Sequence, residues 1–142
     1  MMTPRLAALA AILLMFARPA NTHHSYAMFD GSTSRTVTGT LAKLEWINPH
    51  VFVWVYVRNA ASSGGYDLYA FENGSPGILA RAGWSRDVLA TGERLTVEYR
   101  PLRDGRNGGH FMKATRADGS VLLGVGGPGT GISAPVIPPV PK

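Results

Sequence analysis

Apolar and polar residues alternate with a period of two through Thr36–Arg58, TVTGTLAKLEWINPHVFVWVYVR. Val37, Gly39 and Leu41 share one side of a half-buried strand. Val51, Val53, Val55 and Val57 share one side of a second strand, with Phe52, Trp54 and Tyr56 on the other. A strand apolar on both faces is covered on both, or keeps one adhesive face. Pro49 cannot donate to a strand ladder, so Ile47-Asn48-Pro49-His50 reads as the turn between the two strands. Tyr66–Glu72 predicts a third strand, with Tyr66, Leu68 and Ala70 on one face and Tyr69 and Phe71 on the other. Tyr69 and Phe71 are expected beside Phe52, Trp54 and Tyr56.

The pattern then changes. Ser75-Pro76 predicts an N-cap followed by proline in the first helical turn. A short helix to Ala82 would turn Ile78, Leu79 and Ala82 inward, with Gly83 as its C-terminal cap and Trp84 filling the core beneath it. Ser85 is placed to cap a further turn through Val88 and Leu89. Arg94–Arg100 alternates again, with Leu95, Val97 and Tyr99 inward. Pro101–Gly109 reads as a flexible loop, and His110–Ala117 as a fifth strand. Asp118-Gly119 is a hairpin turn into Val121–Leu123. Strands with one short helix between the third and fourth predict an all-β chain folded as a five-stranded antiparallel OB-like barrel over residues 36–123. An open sandwich of the same strands is the alternative.

Outside that region the composition shifts. Residues 1–20 pair Arg5 with the apolar run Leu6–Phe16, the pattern of a cleaved secretory signal and too short for a membrane span. Residues 21–35 form a histidine-containing segment. Residues 124–142 are rich in Gly and Pro, nearly free of charge, and expected to be a disordered tail. The expected address is the periplasm, with no transmembrane span after cleavage. The formal charge is +5; removing Arg5 and Arg18 with the signal leaves 5 − 2 = +3, and no Lys/Arg cluster appears, so nucleic acid is disfavoured as a partner. With no cysteine, the domain has no disulfide framework and stands on its core alone.

Four motifs, HHSYAMFD, LEWINPH, FENGSPGILARAGW and LATGERLTVEYRPLRDG, resemble the exported bacterial proteins of domain of unknown function family 6152. The likeness covers roughly His23 to Leu122. It implies a periplasmic, non-enzymatic domain and supplies no catalytic residues. Two departures stand out: Asn21-Thr22 precedes the histidine pair, and the Pro/Gly tail has no counterpart in the family's pattern.

Chemistry-bearing residues are few. His23 and His24 on an exported N-terminus, with His50, are candidate ligands for copper or nickel. Cleavage after Ala20 would begin the mature chain Asn21-Thr22-His23, whose amine, two amides and imidazole suit square-planar Cu(II) or Ni(II). Phe52, Trp54, Tyr56 and Tyr69 form a candidate ligand face, bracketed by the Ile47–His50 turn and the Pro101–Gly109 loop. Glu45, Trp46, Asn48 and Pro49 are expected to brace the turn. Glu72-Asn73 is expected to cap or brace, and His110 to be structural. No nucleophile elbow, phosphate-cradling loop or carboxylate pair appears. Two classes of function remain, with an enzyme disfavoured: a periplasmic module binding a metal or small ligand, or an accessory protein partnering an envelope complex.

Overall fold

A computed structural model describes residues 26–61 and 63–126. The expected signal, His23, His24 and residues 127–142 lie outside the described residues. Among the described residues there are six strands: β1 (Arg35–Trp46), β2 (Val51–Arg58), β3 (Tyr66–Glu72), β4 (Arg94–Pro101), β5 (Gly108–Arg116) and β6 (Val121–Leu123). One helix, α1 (Pro76–Arg81), lies between β3 and β4, and a 3-10 turn covers Tyr26–Met28. Among the described residues no helix is long and apolar enough to cross a membrane.

Strands β1 to β5 close into a ring in the order β1–β2–β3–β5–β4. The barrel is therefore as expected, with one correction: β3 and β5 pair in parallel, Ala70–Glu72 against Gly108–His110, so the ring is mixed rather than antiparallel. Strand β6 continues along β5, pairing with Lys113–Thr115 beyond the stretch that β3 occupies.

The long β1 serves two neighbours, β4 through Arg35–Thr40 and β2 through Gly39–Trp46. A strand shared in this way must coil, and two features permit it. A side chain at Gly39 would overlap the Tyr56 carbonyl. A bulge between Leu41 and Lys43 then adds a residue. The bulge switches which residues point inward, from Val37 and Leu41 to Leu44 and Trp46. Inside the barrel, Leu41, Val51, Val53, Val55, Phe71, Leu95, Val97, Phe111 and Leu122 are fully or almost fully buried.

Helix α1 starts where Ser75 Oγ accepts the Ile78 N–H at 3.4 Å, and stops at Gly83, whose φ is 86°. Leu79 is buried as expected, whereas Ile78 faces outward. Trp84 meets Phe111 edge to face at 5.6 Å, and its indole N–H donates to the Leu123 carbonyl at 3.0 Å. It thus joins the chain after α1 to both β5 and β6. The segment after Trp84 is a turn in which Val88 N–H donates to the Ser85 carbonyl at 3.3 Å, with Leu89 buried. Packed chain continues past Leu123: Val125 is buried and Gly124 N–H donates to the Met112 carbonyl at 2.7 Å.

Replacing Trp84 with alanine removes a buried ring and a satisfied hydrogen bond, and should cost about 3–5 kcal/mol in denaturant melts. A loss below about 1 kcal/mol would show that Trp84 does not carry the core.

Candidate functional site

The start of β2 is stitched to the end of β3. Val51 N–H donates to the Gly74 carbonyl at 3.0 Å, and Asn73 N–H to the Val51 carbonyl at 2.8 Å. This register sets His50 beside Glu72, with His50 Nδ1 2.7 Å from Glu72 Oε1. A carboxylate on one imidazole nitrogen fixes the ring's orientation.

Strand β5 reaches the same place through two glycines. A Cβ on Gly108 would overlap the Ala70 carbonyl, and one on Gly109 the Arg100 carbonyl. Without side chains there, β5 slots between β3 and β4, and its next residue, His110, pairs with Glu72 on one side and Arg100 on the other. Phe111 points into the core, so His110 points to the barrel's outer surface.

That outer surface is covered. The Tyr26–Met28 turn and Phe29 fold back over β5. Phe29 bridges to Leu102, Asp30 N–H donates to the Pro101 carbonyl at 2.8 Å, and Arg103 N–H donates to the Met28 carbonyl at 2.9 Å. Asp30 turns the chain toward β1 by accepting from Ser32 and Thr33, which hold its carboxyl down at about 2. The Tyr26 ring stands edge-on to His110 at 5.7 Å, and Phe29 lies against it at 5.5 Å. His110 is consequently only 3% exposed, and neither ring nitrogen has a hydrogen-bond partner among the described residues. Burial, with the Arg100 guanidinium and His50 adding to it, pushes this imidazole down to about 4, so it is neutral at pH 7. An imidazole buried with unpaired nitrogens costs about 1–3 kcal/mol and calls for an explanation. Burial and the nearby Glu72 carboxylate raise the Tyr26 phenol.

Asn73 holds the rim together. Its Oδ1 accepts from Gly74 N–H at 2.9 Å and from Val125 N–H at 3.0 Å, tying the end of β3 to the chain after β6. This is the expected bracing role.

The expected residues fall into three groups. His50 joins Glu72 and His110, two residues that sequence reasoning had assigned to structure; the paired glycines before His110 were the available signal of a close backbone approach. His23 and His24 lie outside the described residues, and His24 is two residues before Tyr26. Glu45, expected to brace the turn, accepts from Lys43 Nζ at 2.7 Å on its own strand and from the Trp54 indole N–H at 2.9 Å on β2. The Lys43 bond, with Trp54 second, lowers the Glu45 carboxyl. Trp46 packs on the core, its carbonyl accepting from Arg86 at 3.3 Å, while Asn48 and Pro49 form the exposed tip of the turn. Phe52, Trp54 and Tyr56 do share the outer face of β2. Tyr69 and Phe71, however, are corrected to the inner face: they pair with Val55 and Val53, and Tyr69 stacks edge-on to Tyr99 at 6.4 Å. The neighbours of the β2 aromatics are instead Leu68, Ala70 and Glu72. Among the described residues no group of three or more His, Asp or Glu side chains is placed to hold a metal ion by itself.

The molecule is therefore a small OB-like barrel whose N-terminal segment straps a histidine–glutamate–histidine cluster against the β3–β5 seam. A family of unknown function (DUF6152) matches residues 10–112, and the chain belongs to that family. No curated protein and no solved structure matches the chain.

A pH prediction follows from His110 in the metal-free protein. Its folded value lies near 4, below the ordinary 6.5, so the unfolded chain takes up the proton first. The stabilisation is complete above pH 6.5 and is lost as pH falls toward 4, by up to about 3 kcal/mol. His110→Leu should remove this part of the pH slope and leave stability at pH 7 no lower than wild type, as read from denaturant midpoints at pH 7 and pH 4.5. An unchanged slope in the variant would contradict the assignment. His50, Glu72, Arg100 and Tyr26 face the ring and are kept in both proteins.

Proposed function

We propose that this protein is an exported, periplasmic metal-binding module that holds Cu(II) or Ni(II) between the N-terminal segment and the β3–β5 seam. The observation that carries this reading is His110: a neutral imidazole, buried beside a carboxylate-anchored histidine, with neither nitrogen partnered among the described residues. A metal ion would satisfy it, and a ring already neutral at pH 7 binds without giving up a proton. Glu72 acts as the orienting partner of His50, the arrangement found behind metal-bound histidines. Two imidazoles make an incomplete site for these metals. His23 and His24 are the natural completion, because the chain from Tyr26 onward already lies on His110 and two residues reach at most about 7 Å. An export signal at residues 1–20 would release that segment to fold back.

The chemistry offered is capture and holding of an ion. Nitrogen donors with one carboxylate behind them favour the later first-row metals over Mg or Ca.

The test is titration of the processed protein with Cu(II) and Ni(II), monitored by calorimetry against a competing chelator. Wild type should bind one equivalent. His50→Ala and His110→Leu should each weaken binding by more than about tenfold, and Glu72→Gln by about 10–100-fold, with melts confirming that each variant is folded. Unchanged affinity in His50→Ala and His110→Leu, with loss in His23→Ala alone, would place the metal on the free N-terminus and overturn this reading.

A further inference from the structure

Beyond Glu72, which pairs with Phe52 and belongs to the histidine cluster, the outer face of β2 and β3 takes no part in that cluster. It carries Phe52, Trp54 and Tyr56 in a row, with Leu68 opposite Tyr56 and Tyr66 opposite Arg58. Tyr56, Tyr66 and Leu68 are 47%, 60% and 44% exposed. A groove of about 370 Å³ lined by Thr40, Tyr56 and Tyr66 opens at the far end of the row from His50. Strand β3 pairs with β5 only over Ala70–Glu72, so among the described residues no strand flanks its Tyr66–Tyr69 half on that side. Two charges beside the row are paired: Lys43 lies over the Trp54 ring at 5.4 Å and pairs with Glu45, which also takes the indole N–H. What remains is an aromatic strip with the exposed Arg58 at its far end, opposite Tyr66.

The chain leaves the described structure beside this strip. Asn73 pins Val125, and Gly126 lies next to Gly74 and the Tyr26 hydroxyl, at the end of the barrel where β2 begins. Residues 127–142 follow, GPGTGISAPVIPPVPK, with no charge before Lys142. Ile132, Pro135, Pro138 and Pro141 recur every third residue. In polyproline II, which has three residues per turn, that spacing places all four on one edge. At about 3.1 Å per residue the segment reaches about 50 Å, whereas Phe52 to Tyr56 spans about 13 Å at about 3.3 Å per residue. Proline edges of this kind dock into aromatic-lined grooves, and prolines suit such docking because they have no N–H to satisfy. The other segment able to cover the strip, the N-terminal one, is already held on Leu102 and His110.

We infer that the proline-rich segment 127–142 docks on the Phe52–Trp54–Tyr56 face of its own barrel as a polyproline II strand, its Pro135–Pro138–Pro141 edge against Tyr56 and Tyr66. The face is thereby an intramolecular binding surface for proline-rich sequence, separate from the histidine cluster.

The absence of cysteine from the chain makes the test direct. A nitroxide on Val140→Cys in the otherwise complete processed protein should broaden the Trp54 indole and the Tyr56, Tyr66 and Leu68 amides, and leave Lys113 and Thr115 on β5 sharp. Pro135→Gly, Pro138→Gly and Pro141→Gly together should abolish that selective broadening while the barrel resonances stay in place. A free synthetic peptide of residues 127–142 should relieve it competitively. Broadening that is absent, spread evenly over the barrel, or unchanged by the three glycines would overturn the inference. So would broadening that passes from labelled to separately isotope-labelled molecules, which would make a second copy the occupant. None of these readouts depends on metal, so failure here leaves the metal-binding reading intact.

Discussion

The parallel seam between β3 and β5 is the contact on which the rest of the structure depends. It forms because Gly108 and Gly109 let one backbone pass against the carbonyls of Ala70 and Arg100 where any side chain would collide. Without that passage the sheet stays open between β3 and β5, and the valine face of β2 loses the walls that enclose it. The same passage delivers His110 to the outer surface opposite Glu72. It also presents Pro101 and Leu102 to the returning N-terminal segment, whose aromatics then cover His110. Barrel closure and the assembly of the histidine cluster are thus one event.

Much of this was legible in the sequence. The alternating valines of β2, the Ser75-Pro76 start of α1 and its Gly83 stop, and the inward parity of Leu95, Val97 and Tyr99 are local signals, and local physics decides them. The parallel seam was legible in principle too: five strands around a closed ring cannot all be antiparallel, since alternation fails at an odd count. The face of β3 was not legible. Its alternation separates Tyr66 and Leu68 from Tyr69 and Phe71 but does not say which pair is inside. Pairing with Val53 and Val55 decides that, and it is a long-range fact. The bulges in β1 and at Glu98/Tyr99 likewise show in sequence only as a spacing of three between inward residues, as at Leu41 and Leu44 or Phe111 and Ala114.

The cluster itself was half visible. His50 stood out because a turn carried it. His110 was passed over because a lone histidine at the head of a strand is ordinarily structural. What makes it unusual is the combination of near-complete burial, neutral charge and two nitrogens without partners, and none of these is written in its neighbours except for the glycine pair. Three of the sequence motifs, HHSYAMFD, LEWINPH and FENG, meet around this residue: Tyr26 and Phe29 cover it, His50 bears on it, and Glu72 pairs with its strand.

Metal held by the barrel and metal held by a free N-terminus differ in coordination, and that difference tests the central claim most directly. X-ray absorption spectra of the protein lacking residues 1–20, loaded with one equivalent of Ni(II) or Cu(II), count imidazoles through their outer-shell scattering. The account predicts at least two imidazoles per metal in wild type, falling by one in His110→Leu. A square-planar amine–amide set with a single imidazole, identical in wild type and His110→Leu, would contradict it.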